Sequence, residues 1–413
     1  MKKTFVSMLL AAAMIVTATG CAQPAAPAAP APAPEAPAKT KITLGLQADA
    51  AGGIQKVIEA FAAEYPQYEI DFANMTNDSA QMHDQLLNSL SSKSPEYDVI
   101  GMDVVWAGEF AAAGYLEPVD QMMMDLGMKP SDFNAGSMAS GKYEGKNYAL
   151  PYFPDLGFLY YRKDVVSPED AAKLEAGTAT WAELKAMAEK YAGQGGTKVG
   201  MVYQSKQYEG LVCNLNEFSS NWTDISGGLE MMKAFADSRK ATPEDILVYT
   251  EGETHASFVN GDSVFARNWP YMLGIIKSAD SKIKPEQVGF APLPTGSTVG
   301  GWLLGVNKNT DNLQGATDFI AFLAGEKGQR ILSANNGNLP GLNSLLTDAE
   351  LVKVNPLLAS ESFRLALGKT IARPVVPNYS EVSDKIQVSA HKYLSGSMSL
   401  EDATAEIKTA LGQ

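Results

Sequence analysis

Cysteine is nearly absent from this 413-residue chain, which has only Cys21 and Cys213. Two thiols exclude a thiolate metal cluster. Histidine is also scarce: His83, His255 and His391 lie far apart, so a histidine-rich metal site is not expected. Each reads as an ordinary, partly exposed side chain. Clustered Lys and Arg are missing beyond the first three residues, and the formal net charge is -14. Nucleic-acid binders need such clusters. No G-x-x-x-x-G-K-[ST] loop, no G-x-S-x-G elbow and no H-E-x-x-H pair occurs. No internal repeat is found. The sequence thus points to no metal, no cofactor and no catalytic residue.

The apolar run Phe5 to Val16 is too short for a stable membrane span. Lys2 and Lys3 precede it and TATGC follows, ending at Cys21, which is the pattern of a targeting segment. The ending resembles a bacterial lipoprotein signal, with Ala18 where a larger aliphatic is more usual. That resemblance implies cleavage of residues 1–20, lipid on Cys21 and anchorage at the outer face of the cell membrane. Plain secretion with a free Cys21 is the alternative. Cleavage removes two lysines and takes the charge from -14 to -16. A lipidated Cys21 leaves Cys213 alone, without a disulfide partner. In GLVCNL it reads as a buried, inert thiol. Residues 22–40, AQPAAPAAPAPAPEAPAKT, cannot bury a core and read as an extended spacer.

From Lys41 the pattern changes. Hydrophobic residues make up 45% of the chain, ample for a core, and the length suits two lobes or two to three domains. KITLGLQ reads as a strand. Ile54, Val57, Ile58, Phe61 and Tyr65 recur at helical spacing, and YEIDFANM reads as the next strand. A helix near Gln81 to Leu90 then leads to a third strand ending at Asp103. This is βαβαβ patterning, hence an α/β fold with a parallel sheet flanked by helices. Ligands of such sheets sit beyond the carboxyl ends of strands, here at Gln47 and Asp103. A second α/β block follows, with a T-x-x-E capping box at Thr180 to Glu183. One amphipathic helix is expected over Ala316 to Leu332.

Aromatic residues stand beside carboxylates or glycines at element ends. Asp103 precedes Trp106, Phe153 precedes Asp155, Trp269 and Tyr271 bracket Pro270, and Trp302 follows Gly300 and Gly301. A sugar has apolar C–H faces, which aromatic rings cover, and hydroxyls, from which carboxylates accept strong hydrogen bonds. Taken singly, Asp103 is as well read as a helix cap, Asp155 as a turn residue, and Trp269 and Trp302 as core. Trp181 and Trp222 are assigned to structure.

The motifs YDVIGMDVVWAGEF (97–110), YALPYFPDLGFLYYRKDVV (148–166), KQYEGLVC (206–213), ARNWPY (266–271), GGWLLGVNK (300–308) and ARPVVPNYSEVSDKI (372–386) carry a resemblance. Together they resemble the lipid-anchored sugar-binding proteins of bacterial and archaeal ABC importers, most of all the trehalose/maltose-binding branch, over residues 41–413. The resemblance implies a two-lobed periplasmic-binding-protein-like (type II) fold with a ligand cleft. Its lobes would be 41–152 plus 303–345 and 153–302 plus 346–413. The implied partners are a di- or oligosaccharide containing glucose, the transmembrane subunits of an ABC permease, and the membrane through the lipid anchor; the protein would be a monomer. Asp103 and Asp155 would bind sugar hydroxyls. Trp106 would help grip the sugar, and Trp269, Tyr271 and Trp302 would stack on its rings. Gly301 would allow close backbone approach, and Gln47 and Phe153 would line the site. Arg373 would donate to hydroxyls or hold a neighbouring carboxylate, while Glu209 is as readily structural.

Three positions depart from the branch. Gly53 stands where a sugar-binding Glu is usual, Met82 or His83 where an Arg is, and Phe153 where a Tyr is. The first lobe would thereby lose polar contacts, leaving Asp103 as its main one. Two other readings stay open: a surface glycoside hydrolase using Asp103 and Asp155, and a binder of a non-sugar solute such as a polyamine.

Overall fold

A computed structural model describes residues 38–374, 376 and 378–413. The expected signal, the expected lipid site at Cys21 and nearly all of the expected spacer lie outside the described residues. The folded body, Lys39–Gln413, forms one compact unit.

The larger sheet holds six strands: β1 (Thr40–Gln47), β2 (Tyr68–Met75), β3 (Val99–Asp103), β6 (Ala149–Leu156), β11 (Ser297–Val306) and β12 (Thr370–Ile371). β1 pairs in parallel with β2 and with β3, as the βαβαβ pattern requires. β1 and β3 end at Gln47 and Asp103. A short hairpin joins β4 (Lys142–Tyr143) and β5 (Lys146–Asn147). The smaller sheet holds β7 (Phe158–Arg162), β8 (Val199–Val202), β9 (Ser263–Asn268) and β10 (Val288–Ala291), in the order β10-β7-β9-β8.

β6 and β11 connect the two halves. They pair antiparallel with a register break between Trp302 and Leu303, and Trp302 stands opposite Phe153. The expected lobe crossings at 152/153 and 302/303 therefore fall inside this ladder. Gly301 needs its glycine, because its φ is 126° and a Cβ would lie 2.7 Å from the Phe153 carbonyl oxygen.

Three apolar cores match this layout. Ile42, Leu44, Val99 and Met102 pack with Phe61, Phe110 and Phe319 around the larger sheet. The smaller sheet is buried on both faces. Leu159 and Tyr161 point to one core and Phe158 and Tyr160 to the other, the two-residue alternation of a central strand.

The helix expected over Ala316 to Leu332 is two helices, Leu313–Ala324 and Glu326–Asn336. Gly325 breaks it with an extended ψ of 174°. The side chain of Gln329 then donates to the carbonyl of Leu323 that the broken helix frees, at 3.2 Å. Among the described residues, no helix is long and apolar enough to cross a membrane, and no group of three His, Cys, Asp or Glu is placed to hold a metal ion.

Candidate functional site

The ends of β1 and β3, the β6–β11 ladder and the segment after β9 converge on a cavity of about 160 Å³. Gln47, Asp103, Phe153, Asp155, Trp269, Tyr271, Gly301, Trp302 and Arg373 all line it. They come from six separate stretches of the chain. Trp106 does not line it, which corrects the expectation that it faces a ligand. It caps the helix Ala107–Ala112 by its backbone only and is 5% exposed. Its ring meets Trp302 edge-on at 5.3 Å and packs against His83 and Phe110. Three residues past Asp103 the chain has turned back towards the sheet, so Trp106 supports the wall from behind.

Asp103 is buried and engaged. Both its oxygens accept from Arg373, at 2.5 and 3.0 Å, and Oδ1 accepts from the Val105 N–H at 3.2 Å. It caps no helix. Arg373 also donates to Glu209 at 3.0 Å, and Ser383 and Tyr379 donate to the same Glu209 carboxylate. Asp103 belongs to the half built on the larger sheet. Glu209 opens the helix Glu209–Phe218, whose Leu211 packs in a core of the smaller sheet, and Arg373 lies two residues past β12 at the edge of the larger one. The bridge Asp103–Arg373–Glu209 thus spans the cavity.

Asp155 differs. It is 6% exposed, and its Oδ1 has no hydrogen-bond partner. Burial pushes its carboxyl pKa well above the ordinary value, and neither the Leu156 backbone nor the pull of Arg267 offsets it. A buried acceptor without a donor is costly unless a ligand supplies one.

The aromatic walls are held by polar groups. Trp269 Nε1 donates to Glu251 at 3.1 Å, and the Tyr208 hydroxyl donates to the other Glu251 oxygen at 2.7 Å. The Tyr271 hydroxyl lies 3.0 Å from His255 Nδ1. Burial lowers the His255 pKa, so its ring is neutral and can accept that proton. His255 is partly exposed, as expected, and lines the cavity, whereas His83 at 7% exposed is not the partly exposed side chain expected. Cys213 also touches the cavity; burial raises its pKa and keeps it a thiol.

The first-lobe side is not as bare as the departures suggest. Met82 is core and His83 pairs with Glu109, so neither replaces an Arg at the cavity. Gly53 makes room for Asn336, whose Oδ1 would lie 2.3 Å from a Cβ there. Asn336 accepts from the Gly53 N–H at 2.9 Å and donates to Asp49 at 3.0 Å. Asp49, Asn77, Ser79, Asn336 and Asn338 line the wall, so Asp103 is not its sole polar group. Sequence reasoning missed these residues, and Glu251 and Tyr208 too. A T-x-x-E box at Thr250 to Glu253 marks the start of the helix that carries Glu251 and was the available signal.

Comparison with known proteins now decides the family. The pattern of the bacterial extracellular solute-binding proteins matches residues 46–330. The chain belongs to that family. A probable ABC transporter-binding protein of Deinococcus radiodurans is 30% identical over 74% of this chain and 77% of its own. A maltotriose-binding protein of Pyrococcus abyssi is 25% identical over 78% of this chain and 70% of its own. Among solved structures, maltose-bound T. maritima MalE3 superposes with a TM-score of 0.80 at 30% identity, covering 90% of this chain and 99% of that one. An Agrobacterium vitis solute-binding protein with bound mannitol, at 18% identity and a TM-score of 0.76, shares the fold. This solute-binding protein therefore has the two-lobed α/β architecture of the maltose-binding-like proteins.

Proposed function

We propose that the protein is the sugar-capturing component of an ABC importer and takes a di- or oligosaccharide containing glucose. The lobes would be residues 41–152 plus 303–345 and 153–302 plus 346–413, closing on the sugar and presenting it to the membrane permease. Residues 1–20 would be the signal, and lipid on Cys21 with the Ala/Pro spacer would tether a monomer to the outer face of the membrane. One observation carries the reading: Asp155, whose buried Oδ1 has no partner within the protein, lines a cavity walled by Trp269, Tyr271 and Trp302. A sugar supplies both a hydroxyl for the carboxylate and C–H faces for the rings. The maltose-bound relative supports it by likeness over nearly all of the body.

Hydrolysis is disfavoured because both Asp103 oxygens are engaged by Arg373, leaving Asp155 without a second free carboxylate at that wall. Calorimetric titration with trehalose, maltose, maltotriose and spermidine tests the reading. Saturable binding of one or more of the sugars is expected. Binding of spermidine alone, or release of shorter sugars on incubation, would overturn it.

A further inference from the structure

Arg267 lies two residues before Trp269, on β9, and outside the cavity lining. It is fully buried. Its Nε and Nη2 donate to the two oxygens of Glu217, at 2.9 and 2.5 Å, and Nη1 donates to Gln204 at 3.2 Å. Gln204 donates back to the Arg267 carbonyl at 3.0 Å. The guanidinium carbon then sits 3.9 Å from the centre of the Trp269 ring.

The chain makes room for this pair. A Cβ at Gly157, between β6 and β7, would lie 2.4 Å from Glu217 Oε1 and 2.6 Å from Arg267 Nη2. Glu217 also accepts from the Thr298 N–H at 3.1 Å, which ties the pair to β11. A buried ion pair is a weak way to gain stability. Here it presents a flat cation, fixed at three nitrogens, to the back of an aromatic wall.

We propose that Arg267 is a positioning residue: held by Glu217 and Gln204, it backs the indole of Trp269 and sets that ring as the sugar-stacking wall. Glu251 fixes the indole edge through Nε1, and Arg267 fixes its plane. Without the guanidinium the ring must be ordered by the ligand, at the ligand's expense. The proposal rests on the sugar-binding reading for its role, though not for its geometry.

Arg267→Met alone would strand Glu217, so the test pairs it with Glu217→Gln, whose amide oxygen still accepts from Thr298. Removing both charges together leaves stability close to the parent's. Maltose and maltotriose affinity should fall by roughly three- to thirtyfold. The near-ultraviolet circular dichroism of Trp269, read as the parent minus Trp269→Phe, should flatten. Arg267→Lys should not restore it, because an ammonium lacks the planar fork. A folded double variant with an unchanged Trp269 band and unchanged affinity overturns the inference. If the parent binds none of trehalose, maltose and maltotriose, the sugar reading fails, and the Trp269 band still decides the role of Arg267.

Discussion

Replacing Asp103 by Ala separates cleft closure from folding. The Asp103–Arg373 pair, with side chains 10% and 3% exposed, reaches the other half through Glu209. Breaking a buried pair from one side costs about 3–5 kcal/mol when the remaining charge is left alone. Arg373 is not left alone, because Glu209 still accepts from it at 3.0 Å. A loss nearer 2–3 kcal/mol follows. That loss falls on the closed form: in an opened cleft, water reaches Arg373 and Asp103 in any case. Affinity should therefore drop by about 30- to 150-fold, while the melting temperature of the ligand-free protein, if it rests mainly open, moves by under about 3 °C. Asp103→Asn, which keeps an acceptor for Val105 and one Arg373 N–H, should lose less. Titration calorimetry and thermal melts of parent and variants measure both. A threefold or smaller loss of affinity with a melting temperature lowered by about 10 °C or more would refute the reasoning, and would make the bridge a structural pin.

Asp155→Asn should raise stability and weaken sugar binding. The parent should lose stability as pH rises above about 4 through the raised folded pKa of Asp155, and melts across pH should show that slope missing in the variant. At His83, burial lowers the pKa, but Glu109 and Asp84 outweigh it and the net shift is upward. The resulting stabilisation is present below about pH 6.5 and lost as pH rises through the folded value, so His83→Gln should flatten a melting profile there; an unchanged slope would assign it to another group. Gly301→Ala, strained at φ 126° and crowding the Phe153 carbonyl, should cost about 1–3 kcal/mol in urea unfolding. Cys21→Ala should release the protein from membranes into the soluble fraction; continued sedimentation with membranes would exclude the lipid anchor.

Much of the site was legible because ligands meet α/β sheets at strand ends, and Asp103 and Gln47 end their strands visibly. Trp106 was misread because proximity in sequence to Asp103 says nothing of direction: one turn later the side chain faces the core. The split helix was hidden because Gly325 is tolerable in a helical pattern, and the Gln329 side chain that returns to the freed Leu323 carbonyl leaves no local signal. Arg267 stands in ARNWPY but received no role, since a lone Arg in a strand carries no local pattern.

The sequence by itself determined the α/β alternation, the acidic charge, the targeting-like N-terminus and the placing of aromatics beside carboxylates. Only the tertiary structure decided which carboxylates find partners within the protein. Asp103 is held by Arg373 from 270 residues away, whereas Asp155 keeps a buried oxygen without a partner. The reason is physical: a buried carboxylate takes its state from the donors that surround it, and those arrive by folding from segments that no local spacing connects.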